Sequence, residues 1–277
     1  FCTPLCTSPT TQASSVTTNT PTTGGFSIGW TAGDGDGTMI VVKPTSSTNT
    51  LPSIKTSYTP NLAWTSAGQI DINNRVVFRN SGTAAGPVTG LTPETQYTIT
   101  AYEYNNTDDC YNLTTPPSTT RWTLSTEPTA HPTSGFSGTT CNATSVDLTV
   151  PAISAGADGY LIIRKAGSAP TGLPTDATAY TVGNTFGDAT VAAIVTASGT
   201  YTISGLTAST TYYFQLIPYN ANSGAVAQTF NYLTSGTLLQ TNVTTTSTST
   251  STASTVETDA TYGYTSNILY ANYQSAS

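Results

Sequence analysis

The feature that most restricts this chain is an internal repeat. Gly37-Thr38-Met39-Ile40-Val41-Val42-Lys43 returns as Gly159-Tyr160-Leu161-Ile162-Ile163-Arg164-Lys165, 122 positions on. Ser57-Tyr58-Thr59 returns as Ala179-Tyr180-Thr181 at the same offset. Gly90-Leu91-Thr92-Pro93-Glu94-Thr95-Gln96-Tyr97 returns as Gly205-Leu206-Thr207-Ala208-Ser209-Thr210-Thr211-Tyr212, now at an offset of 115, and Tyr104-Asn105 matches Tyr219-Asn220. Leu113-Thr114 aligns with Leu233-Thr234. Colinear blocks whose offset drifts are what two copies of one domain leave behind when their loops differ in length. The chain of 277 residues is therefore to be read as one fold used twice.

Each copy alternates apolar and polar residues, the period-two pattern of half-buried strands. Tyr97, Ile99 and Ala101 mark one face of such a strand, and the stretch Tyr212 to Tyr219 is apolar on both faces, which predicts the more buried strand. Turn signals separate the strands: Asp34-Gly35-Asp36-Gly37, Asp158-Gly159, Asn220 to Gly224 and Pro116-Pro117. About a third of the chain is Ser or Thr, mostly Thr, whose β-branch suits extended backbone. No helical periodicity and no apolar run near the ~20 residues of a spanning helix is present. Membrane insertion is not expected.

The boundaries follow. Residues 1–126 form copy one with a cysteine-containing lead, 127–243 form copy two, and Glu127-Pro128 is the joint, stiffened by its proline. Residues 244–258 are almost only Ser and Thr and read as a linker, since nothing there repays the entropy of ordering. In 259–277 apolar mass returns through Tyr262, Tyr264, Ile268, Leu269, Tyr270 and Tyr273. That tail is the start of a further domain or a docking strand.

Gly-Leu-x-Pro-x-Thr-x-Tyr leading into a strand that ends Tyr-Asn resembles the E–F corner and strand F of a fibronectin type III domain. Leu91, Pro93, Thr95 and Tyr97 fit it; Leu206, Thr210 and Tyr212 fit it with Ala208 in place of the proline. Ser27-Ile28-Gly29-Trp30 is similar to strand B with its core tryptophan, where copy two has Val146 to Val150 and no Trp. The long segment between strands C and E resembles the tandem variety found in large secreted or surface proteins of Bacteroidetes, and Ser266 to Ser275 resembles the opening of a domain that follows such repeats. The resemblance implies an all-β chain of two seven-stranded sandwiches in tandem, without catalysis, serving as spacer, adhesive or interaction modules. It implies core roles for Trp30, Leu91 and Leu206, and tyrosine corners at Tyr97 and Tyr212.

Chemistry-bearing residues are sparse. Seven Lys and Arg stand against 14 Asp and Glu, net −7. The cations are scattered, which argues against a nucleic-acid partner. His131 is the only histidine, so a Ser-His-Asp or Cys-His unit would have to use it, and it reads as a surface residue. No cofactor is implied and no catalytic residue can be named. The candidate metal ligands are Asp34 and Asp36, two carboxylates that suit calcium, against the plainer reading of an Asp-Gly turn. Asp108-Asp109 reads as a solvated loop.

The four cysteines, Cys2, Cys6, Cys110 and Cys141, point to an oxidising setting. In the fold the resemblance implies, Cys110 sits in the F–G loop at the pole of the N-terminus, so Cys6–Cys110 and Cys2–Cys110 are both open. Cys141 lies toward the opposite pole. A Cys2–Cys141 bond between chains would make a head-to-tail polymer; a local Cys2–Cys6 bond would not. The expected function is a non-catalytic, extracellular, bacterial structural or adhesive segment, a rod-like spacer or filament subunit. Its partners are then neighbouring domains or other copies, and surface glycans. The alternative is a carbohydrate-binding accessory module of a secreted polysaccharide-active enzyme, which requires a row of aromatics on one sheet face.

Overall fold

The computed structural model describes residues 6–248. Copy one contains β1 (Ser14–Thr18), β2 (Phe26–Thr31), β3 (Gly37–Pro44), β4 (Gly68–Gln69), β5 (Arg75–Asn80), β6 (Ala84–Val88), β7 (Gln96–Asn105), β8 (Cys110–Tyr111) and β9 (Ser118–Trp122). Copy two contains β10 (Ser137–Thr140), β11 (Val146–Val150), β12 (Gly159–Ala166), β13 (Thr185–Phe186), β14 (Ala189–Val195), β15 (Gly199–Ile203), β16 (Thr211–Asn220), β17 (Asn231–Tyr232) and β18 (Leu239–Thr244). In copy one the sheet β1-β2-β6 faces the sheet β4-β5-β3-β7, with β8 and β9 both paired to β7. Copy two repeats this as β10-β11-β15 against β13-β14-β12-β16, with β17 and β18 on β16. Apart from the two-residue strands, each copy is the antiparallel seven-stranded sandwich the corner motif implies.

Repeated residues are repeated for packing reasons. A Cβ on Gly37 would come within 2.8 Å of Asn80 O and the Tyr104 hydroxyl, and one on Gly159 within 2.4 Å of Val195 O. Gly90 and Gly205 hold φ of 73° and 71°, a left-handed geometry that favours glycine. They turn the chain into the corner. There the Thr92 N–H donates to the Tyr97 hydroxyl at 2.9 Å and the Thr207 N–H to the Tyr212 hydroxyl at 3.0 Å.

Each sandwich has two cores. The inner one of copy one joins Phe26, Ile28 and Trp30 to Ile40, Val42, Val77, Tyr97 and Ile99; that of copy two joins Val146, Leu148 and Val150 to Tyr160, Ile162, Phe214 and Leu216. Leu91 and Leu206 close the corners. The second core lies on the outer face of the larger sheet. Met39, Val41, Val76, Tyr102, Tyr104 and Tyr111 are roofed by Tyr58, Ile70 and Leu113. Leu161, Ile163, Val191, Ile217, Tyr219 and Tyr232 are roofed by Tyr180, Phe186 and Phe230. The Ser-Tyr-Thr and Ala-Tyr-Thr repeats are the roof pins: Tyr58 stands 6.1 Å from Tyr111, and Tyr180 5.8 Å from Tyr232.

Three expectations change. β16 was expected to be more buried than β7, yet the two show the same pattern, because the long loop covers the outer face in both copies and buries Tyr102 and Tyr104 as well. The alignment of Leu113-Thr114 with Leu233-Thr234 slips by one: Tyr111 matches Tyr232, since each hydroxyl donates to the same loop carbonyl (Thr56 and Thr178, both 2.9 Å). The Ser/Thr tract enters the sandwich before leaving it. β18 runs to Thr244 and Thr245 is buried, because its hydroxyl has backbone partners to satisfy.

Candidate functional site

The most constructed feature outside the cores is the joint between the sandwiches. The Thr123 N–H donates to Thr95 O (3.1 Å), and its hydroxyl donates to Thr92 O (2.7 Å) and accepts the Thr95 N–H (3.1 Å). The Leu124 N–H donates to Thr22 O at 3.0 Å. One residue later the partners belong to copy two. The Ser125 N–H donates to Thr229 O (2.8 Å), Asn231 Nδ2 donates to Ser125 O (2.8 Å), and Asn220 Nδ2 donates to Thr126 O (2.7 Å). The handover thus falls at Leu124–Ser125, just before the Glu127-Pro128 pair, and four consecutive residues are fixed by backbone or amide bonds. Beside it a crevice of about 470 Å³ is lined by Pro21, Leu124, Glu127, Asp176 and Asn231. Burial raises the Asp176 carboxyl above its ordinary range, while the Tyr232 N–H bonds it at 2.8 Å.

The lead into copy one is clamped at the matching place by different chemistry. Asn105 Nδ2 donates to Thr7 O at 3.0 Å, as Asn220 does to Thr126 O. Where Asn231 holds Ser125, Cys110 is bonded to Cys6 in a disulfide with Cα atoms 5.6 Å apart. Of the alternatives the sequence leaves open, the structure contains Cys6–Cys110; Cys2 lies outside the described residues. At the far pole, Thr245 repeats Thr123: N–H to Thr210 O (3.1 Å), hydroxyl to Thr207 O (2.6 Å), Thr210 N–H to the hydroxyl (3.0 Å). The Thr246 N–H donates to Asn142 O (3.3 Å) as Leu124 does to Thr22 O. Cys141, free and exposed, lies beside this exit; a hydrogen bond to Asp147 raises its thiol.

The candidate calcium ligands are occupied with protein donors. Asp34 accepts the N–H groups of Thr10 (3.0 Å) and Thr11 (2.8 Å) and the Thr10 hydroxyl, which lower its carboxyl. Asp36 accepts the Asn106 N–H at 2.8 Å. The turn therefore holds the N-terminal lead and the F–G loop. Asp109 pairs with Arg79, whose guanidinium lies 4.1 Å over the Tyr104 ring, so this loop is tied down. His131 Nε2 lies 2.6 Å from Ser235 O. Trp30, expected in the core, is 6% exposed and donates through Nε1 to Thr38 (3.0 Å), whose hydroxyl donates to the fully buried Glu103 (2.6 Å). Tyr262, Tyr264, Ile268, Leu269, Tyr270 and Tyr273 lie outside the described residues.

Sequence reasoning missed Thr123, Thr245 and Asn231, and found Asn220 as the repeat of Asn105 without its bond to Thr126 O. The signal was present as Thr pairs 122 apart, hidden by the abundance of Thr. Among solved structures, the chain is similar to a two-domain fibronectin type III segment of chicken tenascin (12% identity, TM-score 0.32, covering 84% of this chain and 99% of that one). It is also similar to the FN1–FN3 domains of chicken CNTN1 (13%, TM-score 0.43, 87% and 69%). No family model and no curated protein matches it.

Proposed function

We propose that the chain is a non-catalytic structural or adhesive segment of an extracellular bacterial protein, a spacer that holds its two sandwiches at a set angle. The observation that carries this is the joint: Thr123 and Leu124 are bonded to copy one and Ser125 and Thr126 to copy two, with no free residue between. Domains in one chain ordinarily move relative to one another, so a fully bonded handover is a device against bending. The Cys6–Cys110 bond supports an oxidising compartment, where such bonds persist. Neighbouring domains and other copies of the chain are the partners this role calls for.

The accessory-module reading has less support. The large apolar residues exposed among those described are aliphatic, Leu51, Ile54, Leu62, Ile72, Leu173, Val182 and Ile194, and Tyr102, Tyr104, Tyr111, Tyr219 and Tyr232 on the outer faces of the large sheets lie under their loops. The test is electron microscopy of the purified chain with small-angle scattering. One narrow distribution of inter-sandwich angles is expected. A broad distribution, unchanged by Asn220→Ala and Asn231→Ala, sinks the spacer reading.

A further inference from the structure

The copies differ most at one groove. Asn61 and Gly183 donate N–H bonds to the matching valines (Val76 O, 3.2 Å; Val191 O, 2.9 Å), and Gly68 and Asn184 to the matching threonines (Thr59 O, 2.9 Å; Thr181 O, 3.0 Å). Gly183 and Asn184 are adjacent, whereas six residues, 62–67, separate Asn61 from Gly68. That insertion plugs copy one. The Thr89 N–H donates to Leu62 O (2.8 Å) and the Trp64 N–H to Thr89 O (2.9 Å). The indole donates to Val42 O (3.2 Å), packs 6.1 Å from Tyr97 and lies under Arg75 at 4.8 Å.

Copy two keeps the frame without the plug. A groove of about 370 Å³ remains, lined by Val182, Val191, Ala192, Ile203, Ser204 and Arg164. Tyr212, the counterpart of Tyr97, is 9% exposed against 1%. Arg164 stands 5.5 Å over it, on the side where Trp64 meets Tyr97. Among the described residues β15 pairs only with β11, so within them the backbone beside Ser204 is a free edge, at the position where Thr89 receives the insertion.

We propose that an aromatic side chain of this chain's own segment 259–277 fills that groove, docking as Trp64 docks in copy one. The segment carries Tyr262, Tyr264, Tyr270 and Tyr273. The chain leaves copy two at Thr246, beside the corner that holds Tyr212, and the 14 residues from Thr248 to Tyr262 span up to about 45–50 Å. The charges agree: Glu257 and Asp259 are the charged residues after Thr248, and Arg164 is the cation of the groove. A ring there meets the guanidinium face, an attractive geometry, and reaches the free edge with its backbone. The inference does not depend on the spacer reading.

The test is photo-cross-linking in the full chain, with a benzophenone amino acid replacing Tyr262, Tyr264, Tyr270 or Tyr273 in turn. At least one position is expected to cross-link within the same chain to peptides containing Val182, Val191 or Ile203. The link should be lost in Val182→Trp, a substitution at a position 66% exposed that fills the groove without entering the core. Methyl NMR of the same samples reports whether both sandwiches stay folded. Cross-links only between chains, only to other surfaces, or unchanged by Val182→Trp overturn the proposal, as does their absence from all four positions.

Discussion

The two sandwiches place the large ring of the inner core on different strands. Copy one brings it from β2, as Trp30, and has Thr38 opposite; copy two has Val150 at the first place and brings Tyr160 from β12 at the second. The hydroxyl of Tyr160 donates to Ala152 O at 2.8 Å, and the indole of Trp30 to Thr38 at 3.0 Å, so each ring also finds a polar partner. The comparison teaches that the frame fixes how much volume must fill the site, and leaves open which strand supplies it. The entry clamps show the same freedom: a disulfide at Cys6–Cys110, a pair of hydrogen bonds at Ser125. The exits are alike in bonding and unlike in cover, because Leu124 is buried by the joint while Thr246 is exposed.

The sharpest way to break the comparison is to remove the clamp that only copy one has. Cys6→Ser with Cys110→Ser reopens a loop of 104 residues, and chain entropy puts the loss near 4–5 kcal/mol. Hydrogen exchange with mass spectrometry should show copy one opening and copy two unchanged. Next come the rings. Trp30→Ala and Tyr160→Ala should each cost about 3–5 kcal/mol, each confined to its own sandwich; an effect of Trp30→Ala on copy two would contradict two separate cores. Trp64→Ala makes copy one resemble copy two. Trp64 is half-buried, so a loss of about 2 kcal/mol is expected, with Tyr97 becoming more accessible to iodination.

A pH effect is smaller and has a definite sign. Asp71 accepts bonds from the Thr50 hydroxyl and the Asn73 and Asn74 N–H groups, which hold its carboxyl well below the ordinary range. A depressed carboxylate stabilises the fold above its unfolded pKa of about 4 and loses that contribution as pH falls through the folded value. The stability gap between the natural chain and Asp71→Asn, read by urea titration of copy one, should therefore close on acidification. The smallest effect belongs to Ser125, whose buried hydroxyl has no partner. Ser125→Ala should leave stability within about 0.5 kcal/mol or raise it slightly, while Asn231→Ala, which removes a bond to the same residue, should weaken the joint.

The sequence showed what local chemistry repeats. The corner motifs and the strand alternation follow from residues that keep their neighbours in both copies, while the pole shared by Cys6 and Cys110 followed only from the fold that the resemblance implies. Three things were hidden for physical reasons. Tyr102 and Tyr104 sit at positions that face solvent in a two-layer fold, and only the folded loop makes a third layer over them. Tyr160 stands in for Trp30 from the next strand, which belongs to the opposite sheet, so no alignment of the strand-B segments finds it. The offset change from 122 to 115 told that residues were lost, but not that six of them form a plug. For the site, His131 read as a surface residue, yet it is half-buried with Nε2 against Ser235 O and Nδ1 buried without a partner, while the Thr123 and Thr245 latches were masked by a background rich in threonine.

The Cys6–Cys110 bond has a consequence for a chain under tension. Pulling force that enters at Cys6 crosses the disulfide directly to β8, so β1 to β7 lie outside the load path and cannot be drawn out. A ruptured copy one lengthens only by the segment from Cys110 to Thr123, roughly 40–50 Å when extended. Copy two has no covalent bypass among the described residues, and the segment from Ser125 to Thr245 can let out roughly 400 Å. The two sandwiches, so alike at rest, would then be a short tether and a long one in series.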